Sequence, residues 1–200
     1  MTAPRVLAVD LGGVMFLPVT DGDPWTVLGD RLGLSPELAR GALWHSDDIE
    51  AANVGRISAE EYASRAAVRL GVTGAAVLDA IEHVYAGRLN EPLVAWLRTI
   101  APVTTIAAVT NNWSFLDRLL ARHRITDLFD IVINSADVGC RKPSMEFFEL
   151  LLERLGCQAD EVLFVDDDAA NVDAAGSLGL RTLLFVGPDA LSSLEAMLRR

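Results

Sequence analysis

Residues 6–14, VLAVDLGGV, constrain the fold more than any other stretch of the chain. The apolar run is too short and too uniform for an amphipathic helix, and it suits a strand buried on both faces inside a parallel sheet. Asp10 ends the run. Gly12 and Gly13 follow, where the backbone can turn sharply and let a ligand approach its N–H groups. Open α/β sheets place their ligands at the carboxyl ends of strands, so Asp10 is expected at such an end. Taken alone, an aspartate after a strand is equally well explained as a turn residue or helix cap. The rest of the chain decides between these readings.

Residues 21–24, DGDP, form a turn cluster, and from residue 25 to about 90 the pattern becomes helical. Apolar residues recur at helix spacing over 24–32. Ser35 before Pro36 reads as a helix start, and Ser58 with Glu61 makes a capping box that opens a helix over 60–70, stopped at Gly71. No strand is expected there. After a helix opened by Glu91 and Pro92, strands over 103–109, 131–134, 162–165 and 181–186 alternate with helices over 114–123, 143–155, 169–178 and 192–200. Such alternation specifies a parallel sheet with helices on both faces. The expected architecture is α/β: a Rossmann-like parallel sheet over 1–20 and 91–200, with a small α-helical cap over 21–90 inserted after the first strand.

Composition narrows the function. Hydrophobic residues make up 51% of the 200, enough for a substantial core. A net charge of −11 disfavours nucleic acid and anionic membrane surfaces as partners. No apolar run is long enough for a membrane span, and residues 1–5 lead straight into a core strand without a signal peptide, so a cytoplasmic location is expected. Cys140 and Cys157 are too few for a disulfide framework or a zinc cluster.

Three strand ends carry chemistry. The first is Asp10. The second is Thr110 and Asn111, a hydroxyl and an amide where the spacing starts a helix, which would supply free backbone N–H groups and a positive dipole end for an anion. The third is Asp166, Asp167 and Asp168, the last expected to act as a helix cap. Between them Lys142 sits in the loop before Pro143, which the spacing makes the first residue of a helix. Carboxylates from two strand ends form a hard-oxygen site suited to Mg²⁺ with waters and substrate phosphate. Close carboxylates repel one another unless a cation sits among them. Asp10 can then be an ionised nucleophile aimed at phosphorus, with the metal and Lys142 stabilising the transferring oxygens.

Together these stretches resemble the haloacid dehalogenase superfamily, a large group of mostly Mg²⁺-dependent phosphatases, and the likeness covers nearly the whole chain. Residues 9–14 resemble its nucleophile loop, Thr110 and Asn111 its second motif, residues 138–143 its lysine motif and residues 164–175 its acidic motif, the most specific of the four. The segment over 21–90 is similar to the small α-helical lid of one subgroup, with residues 55–62 resembling a segment common in such lids. The resemblance implies that Asp10 forms an aspartyl-phosphate and that Thr110, Asn111 and Lys142 hold the phosphoryl group of a small phosphorylated substrate. It further implies that Asp10, Asp167, Asp166 and the Gly12 carbonyl bind Mg²⁺, while Asn171 orders the acidic loop.

The departure lies at Gly12. Phosphatases of this group usually carry a second aspartate there, which protonates the leaving group and then activates water, and losing such a group costs ~10²–10⁴-fold in rate. Three readings follow. The first is a phosphatase for good leaving groups, or one with acid–base help from the cap or the substrate. The second is a 2-haloacid dehalogenase, which needs no metal and is weakened by the Asp166–Asp167 pair. The third is a weakly active or non-catalytic module that binds phospho-ligands or protein partners. The phosphatase is the favoured reading. Among the remaining residues, Trp25 and Trp44 are expected to pack cap helices, and Trp113 to wall the site entrance. His45 is a possible substitute acid–base too unspecific to count as catalytic. Asp47, Asp48, Glu60 and Glu61 are expected as solvated helix ends, and Cys140 as a plain loop cysteine despite Arg141 and Lys142 beside it.

Overall fold

A computed structural model describes residues 4–44 and 47–198, so His45 lies outside the described residues. In chain order the elements are β1 (Val6–Val9), β2 (Phe16–Leu17), α1 (Pro24–Leu32), α2 (Pro36–Trp44), α3 (Asp47–Asn53), α4 (Ala59–Leu70), α5 (Gly74–Ala86), β3 (Arg88–Leu89), α6 (Glu91–Ile100), β4 (Thr105–Thr110), α7 (Leu116–His123), β5 (Ile131–Asn134), α8 (Ser135–Val138), α9 (Met145–Leu155), β6 (Val162–Asp166), α10 (Ala169–Ser177), β7 (Arg181–Leu184) and α11 (Ala190–Leu198).

The main sheet is parallel, in the order β5-β4-β1-β6-β7, which puts β1 at its centre. Val6 pairs with Thr105 on one side and Val162 on the other, and Val9 with Ala108 and Val165. Alternate side chains of the buried strands go to opposite faces. Leu7, Val9, Ile106, Ala108, Leu163 and Val165 join one hydrophobic cluster, against α6 and α7. Val6, Ala8, Ala107, Val109, Val162 and Phe164 join the other, against Phe147, Phe148 and Leu151 of α9 and Ala175 of α10. The chain leaves β1 toward β4 and β5 and returns on the other side with β6 and β7. The carboxyl ends of β4, β1 and β6 therefore lie side by side, where this class of sheet leaves a crevice for ligand.

Helices α1 to α5 fall between β2 and β3, which pair antiparallel through Phe16 with Leu89 and Leu17 with Arg88. β3 departs from the expectation of no strand in this region: two residues are too few to show a period of two. The helix ends are built as their sequences require. The Ser58 hydroxyl accepts from the Glu61 N–H at 3.1 Å, and α4 closes at Gly71 with a left-handed conformation. Leu28, Leu43, Tyr62, Val77 and Ile81 of these helices belong to the same hydrophobic cluster as Leu7 and Val9 of β1. Ion pairs cross from the helices to the sheet side: Arg118 meets Glu60 at 2.9 Å and Glu82 at 2.5 Å, and Arg141 meets Glu50 at 2.7 Å. Glu60 is exposed in the first turn of α4, as expected, and also pairs with Arg118, while Asp48 bridges Arg65 and Arg69 at 2.7 Å each.

Among the boundaries that differ from the sequence reading, three have a visible local cause. β4 begins at Thr105, because the chain after α6 makes one more turn in which the N–H groups of Val103 and Thr104 satisfy the Ile100 carbonyl. α9 begins at Met145 with Ser144 as its cap, the hydroxyl accepting from the Phe147 N–H, so Pro143 stays in the loop instead of opening the helix. α7 begins at Leu116, leaving residues 111–115 as a turn beyond β4.

Candidate active site

Asp10, Lys142 and Asp166 form one buried ionic cluster. The Asp10 N–H donates to the Val165 carbonyl at 2.8 Å, which ties the residue after β1 to β6. The Lys142 ammonium lies 2.9 Å from Asp10 Oδ1 and 2.6 Å from Asp166 Oδ2, and it donates to the Val109 carbonyl at 3.0 Å. Lys142 is 2% exposed and Asp166 fully enclosed. A buried ammonium needs this: three donors, three acceptors, two of them charged. Burial works against the Lys142 charge, but Asp10 and Asp166 outweigh it and hold its pKa above the ordinary lysine value. For Asp10, burial pushes the carboxyl up to about 6 against the pull of Lys142, with Asp166 adding to the rise.

Lys142 comes from a loop, and a side chain holds that loop. The Asn111 amide donates to the Lys142 carbonyl and accepts from the Lys142 N–H, both at 2.9 Å. Both ends of the Asn111 side chain are thereby engaged with the lysine backbone. Thr110 closes β4, buried, beside the Asp10 strand end. The turn after it is fixed by polar residues at the end of β5. Asn134 Oδ1 and Ser135 Oγ both accept from the Asn112 N–H at 3.1 Å, and Asn134 Nδ2 donates to the Trp113 carbonyl at 3.2 Å. The Ser135 hydroxyl in turn donates to the Asn53 carbonyl at 2.6 Å. Since α7 starts only at Leu116, Thr110 and Asn111 are not at a helix N-terminus; side-chain amides, not a helix dipole, shape this turn.

The acidic loop completes the site. Asp166 Oδ1 accepts from the Asp168 N–H at 2.9 Å, and the Asn171 amide spans both Asp166 oxygens at 3.1 Å. Asp168 caps α10 by accepting from the Ala170 N–H at 2.8 Å, as its position in the run predicts. Asp167 is exposed and faces the loop after β1: a Cβ on Gly13 would overlap its carboxylate, and Gly13 holds a φ of 72°. Glycine is required there on both counts. Partial desolvation, and then the Asp166 charge, raise the Asp167 pKa. One oxygen from each of Asp10, Asp166 and Asp167 falls within a 4.8 Å group. Three carboxylates against one ammonium leave two excess negative charges, all on hard oxygen donors, which fits a divalent cation such as Mg²⁺. Gly12 and Gly13 border a cavity of about 460 Å³ that runs under α1, α2 and α5.

A family model for haloacid dehalogenase-like hydrolases matches residues 42–179. The chain belongs to that family. This haloacid dehalogenase-like hydrolase is 27% identical over 182 residues to the sesquiterpene phosphatase astK of Aspergillus oryzae, covering 90% of the chain and 88% of that protein. It is 45% identical over 58 residues, 29% of the chain, to the drimenol cyclase drtB of Aspergillus calidoustus, but spans only 11% of that longer protein. Its fold superposes on a family enzyme of Bacteroides thetaiotaomicron with a TM-score of 0.84 at 18% identity, covering 97% and 99% of the two chains. The complex of that enzyme with magnesium and inorganic phosphate superposes at 0.77, with 17% identity over 96% and 98%. The hydrolase is phosphatase-like.

Of the residues singled out by sequence, Asp10, Lys142, Asp166 and Asp167 come together directly. Asn111 reaches the site through the Lys142 backbone, and Gly12 borders the cavity. Sequence reasoning missed Asn112, Asn134, Ser135 and Asn53. A polar pair at the end of the strand 131–134 was the available signal for Asn134 and Ser135; nothing local marks Asn53. Trp113 lies deeper than an entrance wall, 1% exposed, packed on Tyr62, Tyr85 and Phe115, with Nε1 donating to Asn53 Oδ1 at 2.6 Å. The Cys140 thiol is pushed up by burial and by Glu146, the opposite of activation.

The ionic cluster makes a stability prediction. Lys142→Met leaves Asp10 and Asp166 buried without their ammonium, and breaking such a pair costs about 3–5 kcal/mol. The folded variant then holds the Asp10 proton more tightly than the unfolded chain does, so its stability falls as pH rises and recovers as pH falls. Urea unfolding is expected to show a smaller loss near pH 5 and a loss that grows as pH rises above about 6, the value of the wild-type Asp10 carboxyl.

Proposed function

We propose that this hydrolase is a Mg²⁺-dependent phosphomonoesterase acting on a small phosphorylated substrate through an aspartyl-phosphate on Asp10. The observation that carries the reading is the position of the Asp10 carboxylate, at the end of the central strand, between a buried ammonium and a group of acidic oxygens. The sesquiterpene phosphatase relative and the magnesium and phosphate complex of the structural neighbour support it.

Asp10, Asp167, Asp166 and the Gly12 carbonyl would hold the ion, which supplies charge neutralisation for the phosphoryl oxygens. Asp10 attacks phosphorus, the bond to the leaving oxygen breaks, and the phosphoryl group passes to the carboxylate. Water then attacks phosphorus, releasing phosphate and restoring Asp10. Lys142 keeps Asp10 ionised at neutral pH and, with the Thr110 hydroxyl, stabilises the phosphoryl charge; Asn111 keeps Lys142 in place. Asp166 anchors Lys142 and the acidic loop, which leaves Asp167 the less committed ligand. The helical segment over 21–90 serves as the lid, joined to the sheet core over 1–20 and 91–200 through the β2–β3 pair.

Gly12 offers no proton to the leaving oxygen. Substrates with good leaving groups, acyl phosphates among them, are therefore turned over fastest. Gly12 lies outside the left-handed region and a Cβ there meets nothing within 4 Å, so a side chain can start there without strain or clash. Gly12→Asp is expected to raise phosphate release from unactivated esters by about tenfold or more, part of the ~10²–10⁴ such a group is worth; no gain would mean that the proton is supplied elsewhere or is never needed. The decisive assay is phosphate release from acetyl phosphate and simple phosphoesters. Asp10→Asn and excess EDTA are each expected to abolish release while the thermal transition remains cooperative. Full activity of Asp10→Asn would overturn the nucleophile. Activity that survives EDTA, with halide released from 2-haloacids, would favour a dehalogenase, and no turnover at all a binding module.

A further inference from the structure

The cavity beside Gly12 and Gly13 is walled almost entirely by hydrocarbon. Its sides are formed by Leu28, Leu43, Trp44, Ile81, Val84 and Tyr85, together with neighbouring apolar residues. Among the described lining residues none is a carboxylate or an imidazole, and the one full charge is Arg40, whose guanidinium lies 6.0 Å from the Trp25 ring centroid. Two polar atoms of the wall are committed elsewhere. The Tyr62 hydroxyl donates to the Leu43 carbonyl at 2.5 Å, and Trp113 Nε1 donates to Asn53 Oδ1. At about 460 Å³ the cavity is of ligand size. It lies beside the reacting centre: Gly12 and Gly13, two and three residues after Asp10, line it, and Gly13 also packs against the Asp167 carboxylate.

A sugar or hydroxy-acid phosphate placed here would lose water from its hydroxyl groups and find few partners in return, which disfavours it. An aliphatic chain gains from the same wall with every carbon it buries. Gly12 contributes, since the space an aspartate side chain would fill stays open toward the cavity. We propose that the site takes the monophosphate of an apolar alcohol, a single alkyl or alkenyl chain lying in this cavity with its phosphate at Asp10; the leaving oxygen takes its proton from water, since Gly12 supplies none, so acyl phosphates remain faster while chain length sets the order among the esters. The proposal deepens the phosphatase reading and rests on it for the position of the phosphate.

The test is kcat/KM for ethyl, butyl, hexyl and octyl phosphate with Mg²⁺, beside glucose 6-phosphate and acetyl phosphate. The ratio is expected to rise about threefold to fourfold per methylene until the cavity is filled, and glucose 6-phosphate is expected to fall below hexyl phosphate. Trp44 lines the cavity and is 51% exposed, and Trp44→Asp is expected to flatten the series. Release from acetyl phosphate with a flat or falling alkyl series overturns the apolar-chain assignment and leaves the phosphatase reading standing. No release from any compound overturns the phosphatase reading instead. The series is then followed as binding through the fluorescence of Trp25 and Trp44, where equal affinity for ethyl and octyl phosphate overturns the cavity assignment as well.

Discussion

The structure turns on one buried ammonium. Lys142 sits between Asp10 and Asp166 at 2.9 and 2.6 Å, so its buried positive charge has an opposite charge within reach on either side. Three sheet strands and a loop must converge to make the cluster: β1 ends at Asp10, β4 offers the Val109 carbonyl, β6 ends in Asp166, and Asn111 pins the loop that carries the lysine. A parallel sheet with β1 at its centre brings those ends together. The uncompensated negative charge is what leaves room for a divalent cation.

The helical segment answers to a different constraint. It shares a hydrophobic cluster with one face of the sheet, yet it leaves an apolar cavity bordered by the glycines after Asp10. Charge is concentrated on the sheet side of the site and hydrocarbon on the helical side. A ligand with a phosphate at one end and a chain at the other matches that division, and Gly13 borders both halves.

Much of this was legible in the sequence because the signals are local. An uninterrupted apolar run ending in Asp10 marks the central strand, Ser58 and Asp168 are capping residues where their spacing places them, and the strand over 131–134 is bounded as read. The site carboxylates are marked by strand ends, and Lys142 by its place in the loop before Pro143. What stayed hidden depends on long-range partners. The turn 111–115 is held by Asn134 and Ser135 from the next strand, so a helix read from Ser114 begins only at Leu116. Ser144 outcompetes Pro143 as a helix start because its hydroxyl reaches the Phe147 N–H. Glu60 is the solvated helix end it looks like, but its pairing with Arg118 depends on a partner 58 residues away. The cavity has no sequence signature, since its walls come from helices far apart in the chain.

The central claim is that Asp10 carries the phosphoryl group. Rapid acid quenching during turnover of acetyl phosphate with Mg²⁺, followed by mass spectrometry of the peptide containing residues 6–31, tests it most directly. The account requires that peptide to carry the mass of one phosphoryl group, located on Asp10 and absent from Asp10→Asn. Steady release of phosphate with an unmodified peptide at every quench time, or with the group on another residue, would contradict it.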